Sequence, residues 1–303
     1  MNQIETRGLT RRYGRTEAVH ALDLEVPNGS VFALLGPNGA GKTTTLKVLM
    51  NLLAPTSGVA TVLGVDSRRL GARARTQIGY VSENQQLPRW MTVRQVLDFC
   101  RPFYPTWDRE LEAALLRQFD LPEDRKLAHL SRGMAMKAAL LASLAYRPKL
   151  LVLDEPFSGL DPLVRDDFIR GVLEVSAQGE WTVLLASHDI EEVERLADHV
   201  AMLEEGRRTL CERTESLQAR FRRVEVTLGE VTPALEGLPT TWVEVERAGR
   251  VVKFVETRYE RDATEGACRT RFVDAAVVAK PMTLREIFLV LARQGRTNKE
   301  RAA

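Results

Sequence analysis

The first half of the chain alternates between strand-like and helix-like patterns of apolar residues. Apolar and polar positions alternate from Ala18 to Val26, which predicts a half-buried strand. The run from Val31 to Leu35 is continuously apolar, as in a strand that is buried on both faces. It leads into a glycine-rich loop, and apolar residues then recur at helical spacing from Thr43 to Leu52. The pattern predicts a strand, a loop and a helix in this order.

Two later apolar runs, Leu150 to Leu153 and Thr182 to Ala186, predict further buried strands. Most of the segment between Val93 and Pro148 has helical spacing, and a helix containing Ile190 and Ala197 is expected after the third buried strand. Because strands alternate with helices, the sequence predicts an α/β fold built on a mainly parallel sheet.

The pattern changes after Gly206, where short alternating segments replace the buried runs. Strands are predicted around residues 224–228, 243–246 and 251–255. Thr283 and Glu286 have the spacing of a capping box, so a final helix is expected to begin there, followed by a polar tail. These features predict two domains, a first of residues 1–215 with a helical subdomain at about 85–148, and a small α+β accessory domain of residues 216–303.

Composition limits the partners and the cellular compartment that are expected for the chain. The 303 residues carry 43 basic and 41 acidic side chains, a balance that gives no indication of nucleic acid as a partner. The three cysteines are far apart and form no metal-ligand spacing, which is typical of a reducing compartment. The start of the chain does not resemble a signal peptide. No run of eighteen apolar residues occurs, so a pore, if one is needed, is expected from another chain.

The glycine-rich loop fits the phosphate-binding pattern G-x-x-x-x-G-K-[ST]. Its glycines allow the backbone amides to surround a phosphate, and the helix that follows adds a partial positive charge. The lysine of this pattern reaches the terminal phosphates, and the hydroxyl that follows it can ligate Mg²⁺. The predicted phosphate loop consists of Gly36, Pro37, Asn38, Gly39, Ala40, Gly41, Lys42 and Thr43.

Three other positions carry candidate chemistry. Asp154 and Glu155 follow a buried strand at the sheet edge where α/β proteins bind ligands, so Asp154 suits a metal shell and Glu155 suits a general base or an orienter of water. His188 follows the next buried strand, where it can contact a phosphate. Ser131 stands at the expected start of a helix, either as a simple cap or as part of an anion site.

Together these elements resemble the ATP-binding cassette (ABC) family over nearly all of residues 2–210. The resemblance implies a P-loop NTPase (RecA-like) fold with an antiparallel β subdomain and a helical subdomain, which binds ATP and Mg²⁺. It implies that Tyr13 stacks on adenine, that Thr44 extends the phosphate loop, and that Glu155 and His188 are catalytic together with Lys42. It also implies that two cassettes dimerise, so that the signature residues Ser131 and Gly133 meet nucleotide across the dimer interface, and that Asp161, in the family's D-loop, binds nucleotide. A homodimer and a heterodimer both fit.

Two positions depart from the family pattern. Glu83 stands where the family has a glutamine, and its carboxylate is expected to ligate Mg²⁺ beside Thr43 and Asp154, or else a bound water. Arg132 replaces a glycine of the family's signature segment. Two alternatives remain for Arg132, which either helps to bind the phosphates of the partner site or is a solvated side chain.

The resemblance implies an ATP-hydrolysing subunit that powers a separate membrane permease, at the inner face of the cell membrane. The segment 103–108, the signature and Glu83 look most like a YtrB-like branch that serves ABC-2-type exporters. A non-transport ABC ATPase of translation or DNA maintenance is the alternative, although the single phosphate loop disfavours it. A third hypothesis makes residues 216–303 a regulatory or dimerising module.

Overall fold

The computed structural model describes residues 2–177, 181–229 and 235–302 of the chain. Two compact units are present, Met1–Cys211 and Glu212–Ala303. The strands that begin in the first unit are β1 (Asn2–Tyr13), β2 (Thr16–Pro27), β3 (Val31–Leu35), β4 (Ser57–Val62), β5 (Val65–Asp66), β6 (Ile78–Ser82), β7 (Leu150–Asp154), β8 (Thr182–Ser187), β9 (His199–Glu204) and β10 (Arg207–Arg213). Its helices are α1 (Lys42–Leu49), α2 (Ala72–Arg75), α3 (Val93–Cys100), α4 (Arg109–Gln118), α5 (Arg132–Leu144), α6 (Pro162–Ala177) and α7 (Ile190–Glu194).

A six-stranded sheet with the order β10-β9-β3-β8-β7-β6 forms the centre of the first unit. Strand β3 is parallel to β8 and β9, and β7 is parallel to β6 and β8. Every residue of β3, β7 and β8 is buried, which explains their nearly unbroken apolar sequences. Because these strands are parallel, the loops that follow β3, β6, β7 and β8 emerge at the same edge of the sheet.

A second, antiparallel sheet has the order β2-β1-β4-β5. Its apolar face, with Ile4, Leu22 and Leu24, shares one buried cluster with Leu46 of α1 and with Phe32 of the six-stranded sheet. Helix α1 is therefore fixed by apolar burial on its sides, while its N-terminus stays at the phosphate loop.

The helical subdomain contains α3, α4 and α5, all within the predicted range 85–148. Beside β6, the backbone at Gly79 lies so close to α5 that an added Cβ would be 3.0 Å from the Ser143 carbonyl oxygen. The Tyr146 hydroxyl donates a hydrogen bond of 2.8 Å to the Ile78 carbonyl oxygen in the same region. These contacts attach α5 to the strand that leads to Glu83.

The second unit contains α8 (Thr214–Arg220), β11 (Arg222–Thr227), β12 (Trp242–Ala248), β13 (Val251–Glu256), α9 (Arg261–Arg271), β14 (Ala276–Pro281) and α10 (Leu284–Ala302). Its sheet has the order β12-β13-β11-β14, and its pairs are antiparallel. Val226, Phe254 and Phe272 belong to its own buried cluster. The predicted domain boundary at residue 215 lies inside α8.

The predicted buried strands match β3, β7 and β8, but several local predictions differ from the structure. Helix α1 ends at Leu49 instead of Leu52, because Asn51 has a left-handed φ of 56°. Helix α7 ends at Glu194, before the predicted Ala197. Strand β1 was not predicted, since its three register shifts against β2 after Thr6 and its polar residues hide the alternation.

In the second unit, α9 and β14 were also missed, whereas the capping box of α10 is present. The Glu286 amide donates to the Thr283 hydroxyl over 3.2 Å, and the Thr283 amide donates to the Glu286 carboxylate over 2.9 Å. The helix continues to Ala302, where a polar tail was expected.

Candidate functional site

The phosphate loop runs from the end of β3 to the start of α1, and two of its glycines are required by the backbone. Gly36 and Gly41 have φ angles of 155° and 100°. An added Cβ at Gly36 would lie 2.3 Å from the Leu203 carbonyl oxygen, and one at Gly41 would lie 2.2 Å from the Ala18 carbonyl oxygen. A side chain at either position would collide with a backbone carbonyl oxygen, so both positions require glycine.

Lys42 is the first residue of α1, and it is only 4% exposed. Its ammonium donates hydrogen bonds to the carbonyl oxygens of Gly36 at 2.7 Å and Pro37 at 3.2 Å. It also lies 3.0 Å from Oε1 of Glu155, with which it forms an ion pair. The buried positive charge is thus compensated by a carboxylate from the end of β7.

Thr43 and Asp154 face each other beside this ion pair. The Thr43 hydroxyl donates a 2.9 Å hydrogen bond to Oδ1 of Asp154. Burial raises the pKa of the Asp154 carboxyl above its ordinary value; the bond from Thr43 opposes this effect, and the neighbouring charge of Glu155 adds to it. A hydroxyl and a buried carboxylate are the hard oxygen donors that suit Mg²⁺.

The protein supplies few side chains that could ligate a metal ion at this site. Within residues 2–177, 181–229 and 235–302, no three His, Cys, Asp or Glu side chains are close enough to hold a metal ion by themselves. Magnesium sites of this kind take one or two protein ligands and complete their shell with phosphate oxygens and waters. The residues present therefore fit a metal that arrives with a nucleotide.

Glu155 also contacts His188, which follows β8. Its Oε2 lies 2.7 Å from Nδ1 of the histidine ring and accepts a 3.3 Å hydrogen bond from the His188 backbone amide. Glu155 has a left-handed φ of 51°, and its own amide donates to the Ala186 carbonyl oxygen over 2.9 Å. This backbone turn, which β-strand geometry does not provide, presents one carboxylate to both Lys42 and His188.

Glu83 follows β6 at the same edge of the sheet. Its backbone amide donates to the Asp154 carbonyl oxygen over 3.0 Å. Its Oε1 accepts a 2.9 Å hydrogen bond from the Ser158 hydroxyl and also pairs with the guanidinium of Arg132. In the structure this carboxylate faces the signature segment, and Arg132 has a defined ionic partner although half of its side chain is exposed.

The remaining predicted residues belong to other parts of the first unit. Tyr13 ends β1 and is 45% exposed, with the Arg11 guanidinium 4.7 Å from its ring centre. Ser131 caps α5, because its hydroxyl accepts a 3.2 Å bond from the Met134 amide. Asp161 caps α6 by accepting from the Val164 amide over 3.0 Å.

Two further predicted site residues, Thr44 and Gly133, lie on helices. Thr44 lies in the first turn of α1, and an added Cβ at Gly133 would lie 2.8 Å from a methyl group of Val164. The structure thus joins Lys42, Thr43, Asp154, Glu155 and His188 directly, whereas the signature residues connect to this group through Arg132 and Glu83.

The contact between Glu83 and Ser158 was not predicted from the sequence. The two residues are 75 positions apart, so no local pattern connects them. The only available signal was their position at the ends of neighbouring parallel strands.

The phosphate loop between β3 and α1, with Asp154 at the end of β7 and Glu155 directly after it, defines a P-loop nucleotide triphosphatase. A family model described as ABC transporter matches residues 19–158. The chain is 34% identical over 314 residues to "Daunorubicin resistance ATP-binding protein DrrA3" of Streptomyces coeruleorubidus, across 99% of this chain and 98% of that protein. It therefore belongs to the family of ABC transporter ATP-binding proteins, and it is the ATP-hydrolysing subunit of a transporter.

Two further similarities cover the first part of the chain. "Nod factor export ATP-binding protein I" of Rhizobium meliloti is 38% identical over 210 residues, which are 68% of this chain and 62% of that protein. A solved "ATP binding subunit of ABC transporter" superimposes with a TM-score of 0.66 at 29% identity, covering 72% of this chain and 92% of that one. The predicted family and cassette fold are confirmed, and the alternative in translation or DNA maintenance gains no support.

The raised pKa of Asp154 predicts how the Asp154→Asn substitution affects stability. Burial makes the native carboxyl hold its proton more tightly than the unfolded one. The contribution of Asp154 to the free energy of unfolding therefore falls as pH rises from about 3.8 through the raised native pKa, and it is constant above that pKa. At pH 7 the ionised side chain therefore costs stability. Asp154→Asn removes this cost and retains an oxygen for Thr43, and we expect it to raise the Tm of the nucleotide-free protein at pH 7 by roughly 2 °C.

The matched control is Asp66→Asn, because a hydrogen bond from Arg68 lowers the pKa of Asp66 to about 2. This substitution removes a favourable charge, so it should not raise the Tm. The measurement is thermal unfolding at pH 7 and near pH 3.5, where the advantage of Asp154→Asn should shrink. A lower Tm for Asp154→Asn at pH 7 would contradict this account.

Proposed function

We propose that the chain pairs with a second cassette, binds ATP with Mg²⁺ at two shared sites, and drives a separate permease that exports its substrate. The observation that carries this proposal is the contact of Glu155 with both Lys42 and His188, directly beside the bond between Thr43 and Asp154. These side chains combine phosphate binding, metal binding and orientation of water within one edge of the sheet.

The bound metal would supply charge neutralisation to the phosphate oxygens. We propose Thr43 and Asp154 as its protein ligands, because both present oxygen atoms at the phosphate loop. Glu83 was expected as a third ligand. It remains a candidate because the hydrogen bond from its backbone amide to the Asp154 carbonyl oxygen keeps the two residues side by side. Its carboxylate would first have to leave Arg132 and Ser158.

ATP binding changes the partner of Lys42 in this proposal. The ammonium exchanges the Glu155 carboxylate for phosphate oxygens, because a dense negative charge enters the loop in front of α1. Glu155 stays attached to His188 and becomes free to accept a hydrogen bond from water. Its left-handed backbone fixes the carboxylate at the end of β7 while this exchange occurs. The loss of one buried ion pair is thus coupled to formation of the hydrolytic site.

The second cassette accounts for the residues that lie outside this cluster. Ser131 and Gly133 lie at the N-terminus of α5, where the helix dipole favours an anion, and Asp161 caps the neighbouring α6. We propose that they meet the nucleotide held by the partner. ATP then favours the closed dimer because it binds that state more tightly, and hydrolysis reopens it.

The Glu155→Gln substitution tests this cycle. It removes the negative charge that orients water but keeps the shape of the side chain, so ATP should bind without being hydrolysed. We expect at least about a hundredfold lower turnover, the usual size of a general-base contribution, and a dimer that persists in MgATP. Turnover is measured with the purified full chain, and the oligomeric state is measured by size-exclusion chromatography with light scattering.

Glu110→Gln is the matched control, since it makes the same chemical change at an exposed position of α4. It should retain wild-type turnover and reversible association. Wild-type turnover in Glu155→Gln would remove Glu155 from the mechanism.

An apolar surface of the helical subdomain is the proposed contact with the permease. A cavity of about 320 Å³ is lined by residues of β6, α3 and α5, including Tyr80, Val96 and Ala139. Phe99 and Phe103 directly precede the lining residues Cys100 and Tyr104 in the chain. They are 57% and 61% exposed, with ring centres 5.6 Å apart. Large apolar side chains that stay exposed in this arrangement are typical of an interaction site.

No helix in the described ranges is long and apolar enough to cross a membrane. We propose that an apolar cytoplasmic segment of the permease packs into this cavity and against the two phenylalanine rings, and that it holds the chain at the inner membrane face. Export is the proposed direction, because the relatives include proteins named for daunorubicin resistance and for Nod factor export. The YtrB-like assignment and the regulatory role of residues 216–303 stay hypotheses.

The double substitution Phe99→Ser and Phe103→Ser tests the proposed contact with the permease. Loss of both rings removes apolar area that binding would bury, so we expect the chain to separate from its membrane subunit while ATP binding is retained. The readout is the membrane protein that co-purifies with the tagged full chain from its native cells. Val273→Ser is the control, because it removes an apolar side chain that is 70% exposed in the second unit. Unchanged co-purification of the double variant would contradict the proposed surface.

A further inference from the structure

The two residues that depart from the family pattern contact each other. Glu83 replaces the expected glutamine, Arg132 replaces the expected glycine, and their side chains form an ion pair within one subunit. A glutamine at 83 and a glycine at 132 would not form this charged contact. Each departure therefore supplies the partner that the other one needs.

Two residues of the loop after β7 complete this contact. The Ser158 hydroxyl donates to the same Glu83 oxygen over 2.9 Å. The Arg132 guanidinium lies against Gly159, where an added Cβ would be 2.6 Å from Nη1, and Gly159 has a left-handed φ of 65°. We call this group of Glu83, Arg132, Ser158 and Gly159 the Glu83 junction. It joins three chain segments that are distant in sequence.

The position of Arg132 explains why it needs a carboxylate. It is the first residue of α5, directly after the Ser131 cap. A positive charge is unfavourable there, because the N-terminus of a helix carries a partial positive charge. Glu83 compensates both charges, so it turns the guanidinium toward its own subunit.

The junction also has a short connection to the catalytic residues. The Glu83 amide is bonded to the Asp154 carbonyl oxygen, and Glu155 is the next residue in the chain. On the other side, Arg132 stands between Ser131 and Gly133. The contact thus links the strand end that carries Asp154 to the residues proposed to face the second cassette.

We propose that Arg132 is a positioning residue, which acts through its contacts with Glu83 and Ser158. These contacts set the orientation of Ser131 and Gly133 relative to the nucleotide site of the same subunit. The inference rests on the proposed role of Ser131 and Gly133 at the partner's nucleotide. It assigns Arg132 to its own subunit and not to the partner's phosphates.

The exposure of the pair sets the size of the effect. Arg132 and Glu83 are 50% and 29% exposed in their side chains. Solvent screens such a pair, so its loss should change turnover by about twofold to fivefold. A contact of this strength can orient a helix end and still open during a catalytic cycle.

A double-mutant cycle on the full chain tests the coupling. The four proteins are the wild type, Glu83→Gln, Arg132→Gln and the variant with both substitutions. We expect each single substitution to lower kcat by about twofold to fivefold, with a smaller change in the KM for ATP. Both changes remove the same contact, so the double variant should be no slower than the slower single variant. The exchanged pair Glu83→Arg with Arg132→Glu should recover part of the loss.

Three results would overturn the proposal. Single effects that multiply in the double variant would show independent roles, and unchanged turnover in both single variants would show none. Opposite changes in the KM for ATP would show that Arg132 binds phosphate and that Glu83 competes for it. The control is Arg170→Gln, which removes an exposed arginine from its 2.7 Å pair with Asp166 on α6 and should retain wild-type kcat.

A second measurement separates this proposal from the proposed two-cassette cycle. The same four side-chain combinations are placed in the Glu155→Gln background, and the MgATP concentration that gives half-maximal dimer is measured. The junction predicts the same non-additive pattern there, and additive shifts would contradict it. Failure of Glu155→Gln itself to form a dimer would count against the two-cassette cycle, while the turnover cycle would still decide the junction.

Discussion

The buried ammonium of Lys42 is the charge on which the site depends. A charge that is 4% exposed needs close partners, and here it has two carbonyl oxygens of the phosphate loop and the Glu155 carboxylate. The parallel sheet makes this possible, because β3 and β7 both end at the same edge and deliver the two side chains from opposite sides of β8. The glycine-only positions of the loop then leave room for a phosphate in front of α1.

In the proposed cycle, the same arrangement links nucleotide binding to catalysis. Glu155 contacts Lys42 with one oxygen and His188 with the other, so a phosphate that takes over Lys42 changes the environment of the carboxylate. Asp154, beside it, is buried at a cost in stability, as the raised pKa of its carboxyl indicates. Residues that weaken the nucleotide-free protein in this way are typical of functional sites, where a ligand restores the lost interaction.

The sequence predicted strands whose apolar pattern is regular, either continuous or alternating, and it missed β1, whose pattern is interrupted. Strands β3, β7 and β8 were predicted because every position is buried, so each one appears as an unbroken apolar run. Strand β1 was not predicted because its register shifts disturb the alternation of apolar and polar residues that is expected in a strand. The proximity of Lys42, Glu155 and His188 was predictable from motif order, since parallel strands place their ends together. The partner of Arg132 was not predictable, because two long side chains from distant segments meet without any local signal.

The central claim is that each ATP site is shared by two chains, with Lys42 from one and Ser131 from the other. The most direct test mixes purified Lys42→Ala chains with Ser131→Ala chains and measures ATP turnover. Each variant alone lacks a complete site, whereas a mixed dimer contains one site with both residues intact. The account predicts that mixing restores turnover that neither variant has. Turnover that stays at the level of the separate variants would contradict it.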